Sequence, residues 1–312
     1  MKSEPTDLAR ELRRSWNRFL DVYEPLRPDL YRYCRHLTRT PWDAEDMAQD
    51  TLARAYASLA TASEPPPNPR AWLFRVASNL WINRVQATRE IPSTLEGHER
   101  LTTSEPRAPR EAAGTLVARL SPQERAAFVL KDVFDFSLEE VATVLATSEG
   151  AVKAALHRGR SKLADPVTVE PEPVAPPVLD AFCAAFNARD LERLTALLLE
   201  NATMEVPGIM TEHGRAAMRE GSLRHTLLGC PEGGYVVDAP LRAEARVHRG
   251  EPLLLWWLGD VVDALVRVRV EEDRIALLRT YRHAPECTEE VCRELGVPFN
   301  RHGHRPALAR LS

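Results

Sequence analysis

A chain of 312 residues, 44% hydrophobic and 28% charged, is too long for one ordinary core and predicts two or three folded domains. Its formal net charge of −4 excludes bulk attraction to nucleic acid, so any contact with DNA must come from local basic patches. No apolar run approaches a membrane span, and the opening MKSEPTDLARELRR is charged with no apolar stretch behind it, so a soluble cytoplasmic protein with no membrane contact is expected.

From Leu8 to about Arg39, Trp16, Phe19, Leu20, Tyr23, Leu30, Tyr31 and Cys34 recur at helical spacing around a break at Pro25 to Pro28. The next helix starts at Thr40 with Pro41 in its first position, and Ala44, Met47, Ala48, Leu52, Tyr56 and Leu59 line one face. Asp43, Glu45, Asp46, Gln49 and Asp50 crowd its first turns on the other side. Acids at a helix start stabilise it by about 0.3 to 1 kcal/mol each, which accounts for two or three of them. A docking surface accounts for all five, and both readings stay open at this point.

After the loop ASEPPPNPR, Asn68 and Pro69 open a helix reading PRAWLFRVASNLWINRVQATRE. Leu73, Val76, Ala77 and Leu80 face a core. Trp72, Arg75, Asn79, Asn83 and Gln86 form a neighbouring stripe, with Arg84 beside it. An aromatic, cations and amides suit stacking on unpaired bases and bonding to their edges. Core packing of Trp72 and Trp81 is the alternative.

Residues 91–113 are polar, with prolines at 92, 106 and 109 and no helical stripe, and read as a flexible connector. From Ser121 to Leu163 three helix starts follow: Ser121 with Pro122 and Glu124, Ser137 with Glu140, and Thr147 or Ser148 before an Ala-rich run. The second and third helices fit a helix-turn-helix. Val141 and Leu145 bury one side of the first, Ala142 permits a close crossing, and Val152, Ala155 and Leu156 bury the second. The turn carries Ala146 where glycine is common, so Ala146 either avoids a left-handed conformation or adopts it under strain. The last helix exposes Lys153, His157, Arg158, Arg160 and Lys162 against the single acid Glu149, the footprint of a helix laid in a major groove. A solvated face favoured by the helix dipole is the bland alternative.

DAEDMAQDTLARAY, PRAWLFRVASNLWINRV and SPQERAAFVLKDVFDFSLEEVATVLATSEGAVKAALHRGRSKL, in this order, resemble regions two and four of bacterial extracytoplasmic-function sigma factors. The resemblance covers about the first half of the chain. It implies a sigma subunit that binds core RNA polymerase and recognises promoter DNA, and no enzyme. It implies core-polymerase contacts from Asp43, Glu45, Asp46, Gln49 and Asp50. Trp72, Arg75, Asn79, Asn83 and Arg84 would face the minus-ten element as it melts. Ser148, Lys153, His157, Arg158 and Arg160 would meet the minus-thirty-five element, base and phosphate contacts being undivided between them.

ADPVTVEPEPVAPP, with five prolines in fourteen residues, is a semi-stiff spacer with a reach on the order of 40 Å. Beyond it, helices VLDAFCAAFNA and LERLTALLLE, a strand ATMEVPG, a helix at about 216–228, a strand near 235–246, EPLLLWWLG, and a hairpin of DALVRVRV with RIALLRTYRH are expected. Helices on one face of a curved sheet make an α+β cone. AFNARDLERLTALLLENATMEVPG is similar to SnoaL-like domains, related to ketosteroid isomerases and polyketide cyclases. That resemblance implies a built-in regulator. Glu205, His213, Asp238 and Asp263 are available as acids or bases for an enzyme, and Trp256 or Trp257 should look into the cone of a small-ligand sensor. As a packing module the domain would dock intramolecularly on the sigma regions, at an effective concentration on the order of millimolar. Glu205, Trp256, Trp257 and Asp263 are the candidate pocket, and docking or sensing is preferred to catalysis.

The tail holds His283, Cys287, Cys292, His302 and His304, but Cys287 and Cys292 lack a zinc-knuckle spacing, and a short helix Thr288 to Leu295 stopped by Gly296 is preferred to a metal site. Five cysteines, Cys34, Cys183 and Cys230 being the others, show no disulfide pattern and read as buried thiols. No cofactor or metal is expected.

The expected architecture is multidomain: two all-α sigma domains (8–90, and 114–164 with the helix-turn-helix) joined by linker 91–113, a Pro-rich linker 165–177, an α+β SnoaL-like cone 178–283 and a tail 284–312. The rival readings are a ligand-sensing helix-turn-helix regulator that acts without core polymerase and, third, an isomerase or cyclase.

Overall fold

The computed structural model describes residues 7–38, 40–62, 64–90, 120–161, 176–228 and 241–304. The linker 91–113, the Pro-rich linker up to residue 175, Lys162, Cys230, Tyr235 and Asp238 lie outside them. The chain divides into two compact units, Met1–Glu170 and Pro171–Ser312.

In the first unit, α1 (Asp7–Tyr23) runs through a 3-10 turn at Glu24–Leu26 into α2 (Arg27–Leu37), the prolines setting the break. Thr40 caps α3 (Pro41–Leu59) by accepting the Asp43 N–H at 3.0 Å, and Asn68 caps α4 (Pro69–Glu90) by accepting the Ala71 N–H at 3.0 Å. Leu30, Tyr33, Cys34 and Leu37 of α2, Ala44, Met47, Ala48 and Leu52 of α3, and Leu73, Phe74 and Ala77 of α4 form the core. Its buried hydroxyls pair with each other, Tyr33 with Ser78 at 2.7 Å. Helix α1 lays Trp16 and Phe19 on Tyr56, and Tyr23 against Trp72.

Complete capping boxes at Ser121/Glu124 and Ser137/Glu140 start α5 (Pro122–Phe128) and α6 (Leu138–Val144), and Ser148 rather than Thr147 caps α7 (Glu149–Ser161). Helix α5 does not simply stop. It widens into a π turn at Val129–Val133, and Asp135 follows at φ 57°. This irregular exit swings Phe134 and Phe136 onto Phe74 of α4, with ring centroids 5.1 and 5.7 Å away, while Arg70 lies 5.2 to 5.7 Å from all three rings. Arg125 of α5 donates to the Leu37 carbonyl at 2.7 Å and stacks on Trp81. The two helical groups therefore pack together within this unit. Ala146 takes the left-handed conformation, at φ 51°, with the Thr147 N–H closing onto the Ala142 carbonyl at 2.9 Å.

The second unit is a six-stranded sheet in the order β2-β1-β6-β5-β4-β3, with β1 (Leu198–Val206), β2 (Met210–His213), β3 (Leu241–His248), β4 (Glu251–Leu258), β5 (Val261–Glu271) and β6 (Arg274–Thr280). Strands β1 and β6 pair in parallel, and the other neighbouring strands pair antiparallel. Helices α8 (Pro177–Asn187), α9 (Leu191–Ala196), α10 (Arg215–Glu220) and α11 (Ser222–Leu228) share one core with the sheet, built on Phe182, Phe186, Met204, Met218, Leu254, Trp256 and Val266. This is the expected α+β layering.

Three local expectations are corrected. LERLTALLLE is helical only to Ala196, because Leu198 enters β1 opposite Ile275, whose N–H bonds to the Leu197 carbonyl at 2.9 Å. Strand β2 is an addition. The helix at 216–228 is two, broken at Gly221, where the Glu212 carboxylate from β2 accepts the Ser222 N–H at 3.0 and 3.2 Å.

Helix α12 (Pro285–Leu295) ends on left-handed Gly296 and packs on β5 with Cys287, Val291 and Cys292 buried. The following segment bridges the start of β5: Val262 N–H donates to Pro298 and its carbonyl accepts from Asn300 N–H, both at 2.8 Å.

Candidate nucleic-acid interface

Helix α3 separates its acids. Asp50 is exposed, and Asp43, Asp46 and Gln49 are half-buried. Glu45 is fully buried, which corrects its assignment to an exposed docking face. It pairs with buried Arg27 of α2 and accepts the Gln49 side-chain amide at 2.8 Å. The signal was present in the sequence, since Glu45 lies at i−3 and i−7 from Ala48 and Leu52 and so shares their face.

On α4 the predicted stripe is open. Arg75, Asn79, Asn83 and Gln86 are exposed, and Trp72 is half-buried with its ring 5.8 Å from Tyr23. A half-exposed indole held by a second ring, beside two amides, has a face on which a flat ring can stack. The contact with Phe134 and Phe136 falls on the other side of α4, through Arg70 and Phe74, and leaves the stripe uncovered. Arg84 pairs with Asp50, so one residue from each predicted set is tied to the other.

On α7, Val152, Ala155 and Leu156 are buried as expected, and the Ser148 hydroxyl oxygen caps the helix by accepting the Ala151 N–H at 3.2 Å. Lys153 and His157 are exposed, with Glu149 3.8 Å from Lys153. Arg158 is exposed too, but its Nε donates to the buried Glu124 of α5 at 3.0 Å. Arg160 lies in the last turn of the same helix. Sequence reasoning missed the partners Arg27, Arg70 and Glu124, because each pair joins different helices and leaves no local spacing.

The four cone candidates do not converge. Trp256 belongs to the helix-covered core, stacked on Phe186 at 5.4 Å. Trp257 is outside that core cluster, with the Arg242 guanidinium 4.9 Å from its ring. Glu205 is paired with Arg279 at 3.4 Å. Asp263 alternates with the core residues Ala264 and Val266 along β5, and meets Arg282 at 3.2 Å, His302 at 2.9 Å and Asn300 at 3.4 Å. Burial raises the Asp263 carboxyl pKa, but the His302 bond and the Arg282 charge outweigh it and hold the group below its ordinary value. Burial also pushes the Cys183 thiol up to about 11 and Cys292 up to about 12, so neither is a ready nucleophile at neutral pH. Among the described residues no three His, Cys, Asp or Glu side chains are grouped as metal ligands, and no helix is long and apolar enough to cross a membrane.

Comparison with known proteins gives the same two regions. The sigma-70 region 2 family matches residues 22–90 and the sigma-70 region 4 family matches residues 110–163. The ECF RNA polymerase sigma factor SigG of Mycobacterium tuberculosis is 30% identical over 225 residues, covering 59% of this chain and 60% of that protein. The chain thus spans about three fifths of that relative's length. SigL of Mycobacterium tuberculosis, also an ECF RNA polymerase sigma factor, is 31% identical over 144 residues, covering 44% of this chain and 81% of SigL. The crystal structure of the Mycobacterium tuberculosis extracytoplasmic function sigma factor SigJ aligns at 24% identity over 84% of this chain and 95% of that one, with a TM-score of 0.33.

Proposed function

Since this chain belongs to the extracytoplasmic-function RNA polymerase sigma factors, we propose that it is a promoter-specificity subunit for core RNA polymerase. The reading is carried by one observation: a single unit holds both an uncovered aromatic and amide stripe on α4 and a helix-turn-helix whose last helix exposes Lys153, His157 and Arg158. Asp43, Asp46, Gln49 and Asp50 would meet the polymerase. Trp72, Arg75, Asn79 and Asn83 would take bases of the opened minus-ten element, where stacking is worth about 1 to 3 kcal/mol per base. Helix α7 would lie in the major groove at the minus-thirty-five element.

The C-terminal unit tunes this activity by contact and not by catalysis. Supporting this, Trp256 stacks on Phe186 in the core, Trp257 lies against Arg242, Glu205 pairs with Arg279 and Asp263 pairs with Arg282, so these four do not form one site. The experiment is a sizing column loaded with purified protein and sigma-free core polymerase. A stable joint species is expected, and a chain lacking residues 171–312 should still form it with altered affinity. No joint species from either chain would overturn the proposal.

A further inference from the structure

We infer that Glu124 is a positioning residue for promoter recognition, which rests on the sigma reading above: it anchors the Arg158 guanidinium so that its outer end meets a DNA phosphate. Glu124 is buried, with 4% of its side chain exposed, while the Arg158 side chain is 59% exposed. The two carboxylate oxygens have different tasks. One accepts the Ser121 N–H at 2.9 Å and completes the capping box of α5, and the other accepts Arg158 Nε–H at 3.0 Å. The first bond fixes the carboxylate to its own backbone, so the second holds the arginine from a rigid point.

The helices are brought together by close packing. Gly159 is buried against Leu120, where an added Cβ would sit 3.5 Å from a Leu120 methyl, so α7 passes directly over the start of α5. Arg158 lies in the third turn of α7, on the exposed side that also carries Ala154. In a recognition helix the N-terminal residues reach base edges, which leaves a third-turn arginine to the phosphate backbone. A guanidinium is planar, and gripping it at Nε sets the direction of its terminal amino groups. Ordering the side chain in advance removes a cost otherwise met on binding.

The charge of Glu124 makes the inference separable from bulk electrostatics. Removing a negative charge near DNA should by itself tighten binding and steepen its salt dependence. Loss of positioning predicts the reverse.

The test uses the full chain reconstituted with core polymerase, on promoter fragments selected from genomic DNA by the wild-type complex. Glu124→Gln, which keeps an oxygen for the helix cap, should weaken promoter affinity about three- to tenfold. It should also make the logarithmic salt slope shallower by about one. In an Arg158→Ala background the same change should weaken binding no further. Arg158→Lys keeps the charge on a surface position, loses the Nε anchor, and should reproduce the Glu124→Gln loss. Unchanged or tighter binding by Glu124→Gln, or an equal loss in both backgrounds, would overturn the inference. A wild-type complex that selects no promoter would overturn the sigma reading and this inference together, whereas wild-type selection with Glu124→Gln unaltered removes only the second.

Discussion

Glu45 of α3 and Arg27 of α2 form a buried ion pair, the carboxylate wholly out of solvent and the guanidinium side chain 7% exposed. Removing one partner of such a pair strands a buried charge, whereas removing both leaves none. Glu45→Ala should therefore cost about 3 kcal/mol or more, and the double change Arg27→Met with Glu45→Leu should cost less than Glu45→Ala alone. Urea unfolding followed by tryptophan fluorescence measures both. A Glu45→Gln protein that keeps its stability and loses only polymerase affinity would instead return Glu45 to the docking face.

Ala146 in the turn between α6 and α7 sits at φ 51°, where a side chain is strained and glycine is not. Ala146→Gly should stabilise the helical unit by up to about 1 kcal/mol. Thermal melting of the full chain, read by circular dichroism, checks it. A lower midpoint would mean that glycine's extra freedom in the unfolded chain outweighs the strain.

Phe136 is 5% exposed and stacks on Phe74 beneath Arg70. Phe136→Ala should destabilise the helical unit by about 3 kcal/mol. Because the contact joins α4 to the segment after α5, hydrogen exchange should quicken in both groups of helices. Exchange that quickens only in α5 to α7 would show that the two groups do not support each other.

His283 has its pKa lowered, by burial first and then by the charges of Arg282 and His302, against the Gly303 carbonyl bond and Asp263, which raise it. The folded state thus binds this proton less readily than the unfolded chain. Its contribution to stability is present above the ordinary histidine value of about 6.5 and is lost as pH falls from there through the lower value of the folded state. His283→Asn should lose less stability than the native chain between about pH 7 and pH 5. Equal losses in the two proteins would contradict the assignment.

The helix boundaries were legible in the sequence wherever a cap announced them, at Thr40, Asn68, Ser121 and Ser137. The β5–β6 hairpin was legible because Val266, Val268 and Val270 alternate with Arg267 and Arg269. LTALLLE was not, since a short apolar run fits helix and strand alike and only the pairing with β6 decides it. The stripe on α4 and the exposed face of α7 followed from helical spacing. What binds those faces to the rest, Arg84 to Asp50 and Arg158 to Glu124, joins residues 34 apart and is set by helix packing alone. The same holds for Asp263, whose partners His302 and Asn300 arrive from beyond α12.

In the proposed function this chain supplies promoter choice to a polymerase that lacks it. The most direct measurement of this is run-off transcription by core polymerase, with and without the purified protein, on a pool of genomic fragments. The account predicts discrete start sites that appear only with the protein present, and that disappear when Trp72, Asn79 and Asn83 are changed to alanine together. Transcripts that are the same with and without the protein, despite tight binding of the protein alone to DNA, would contradict it.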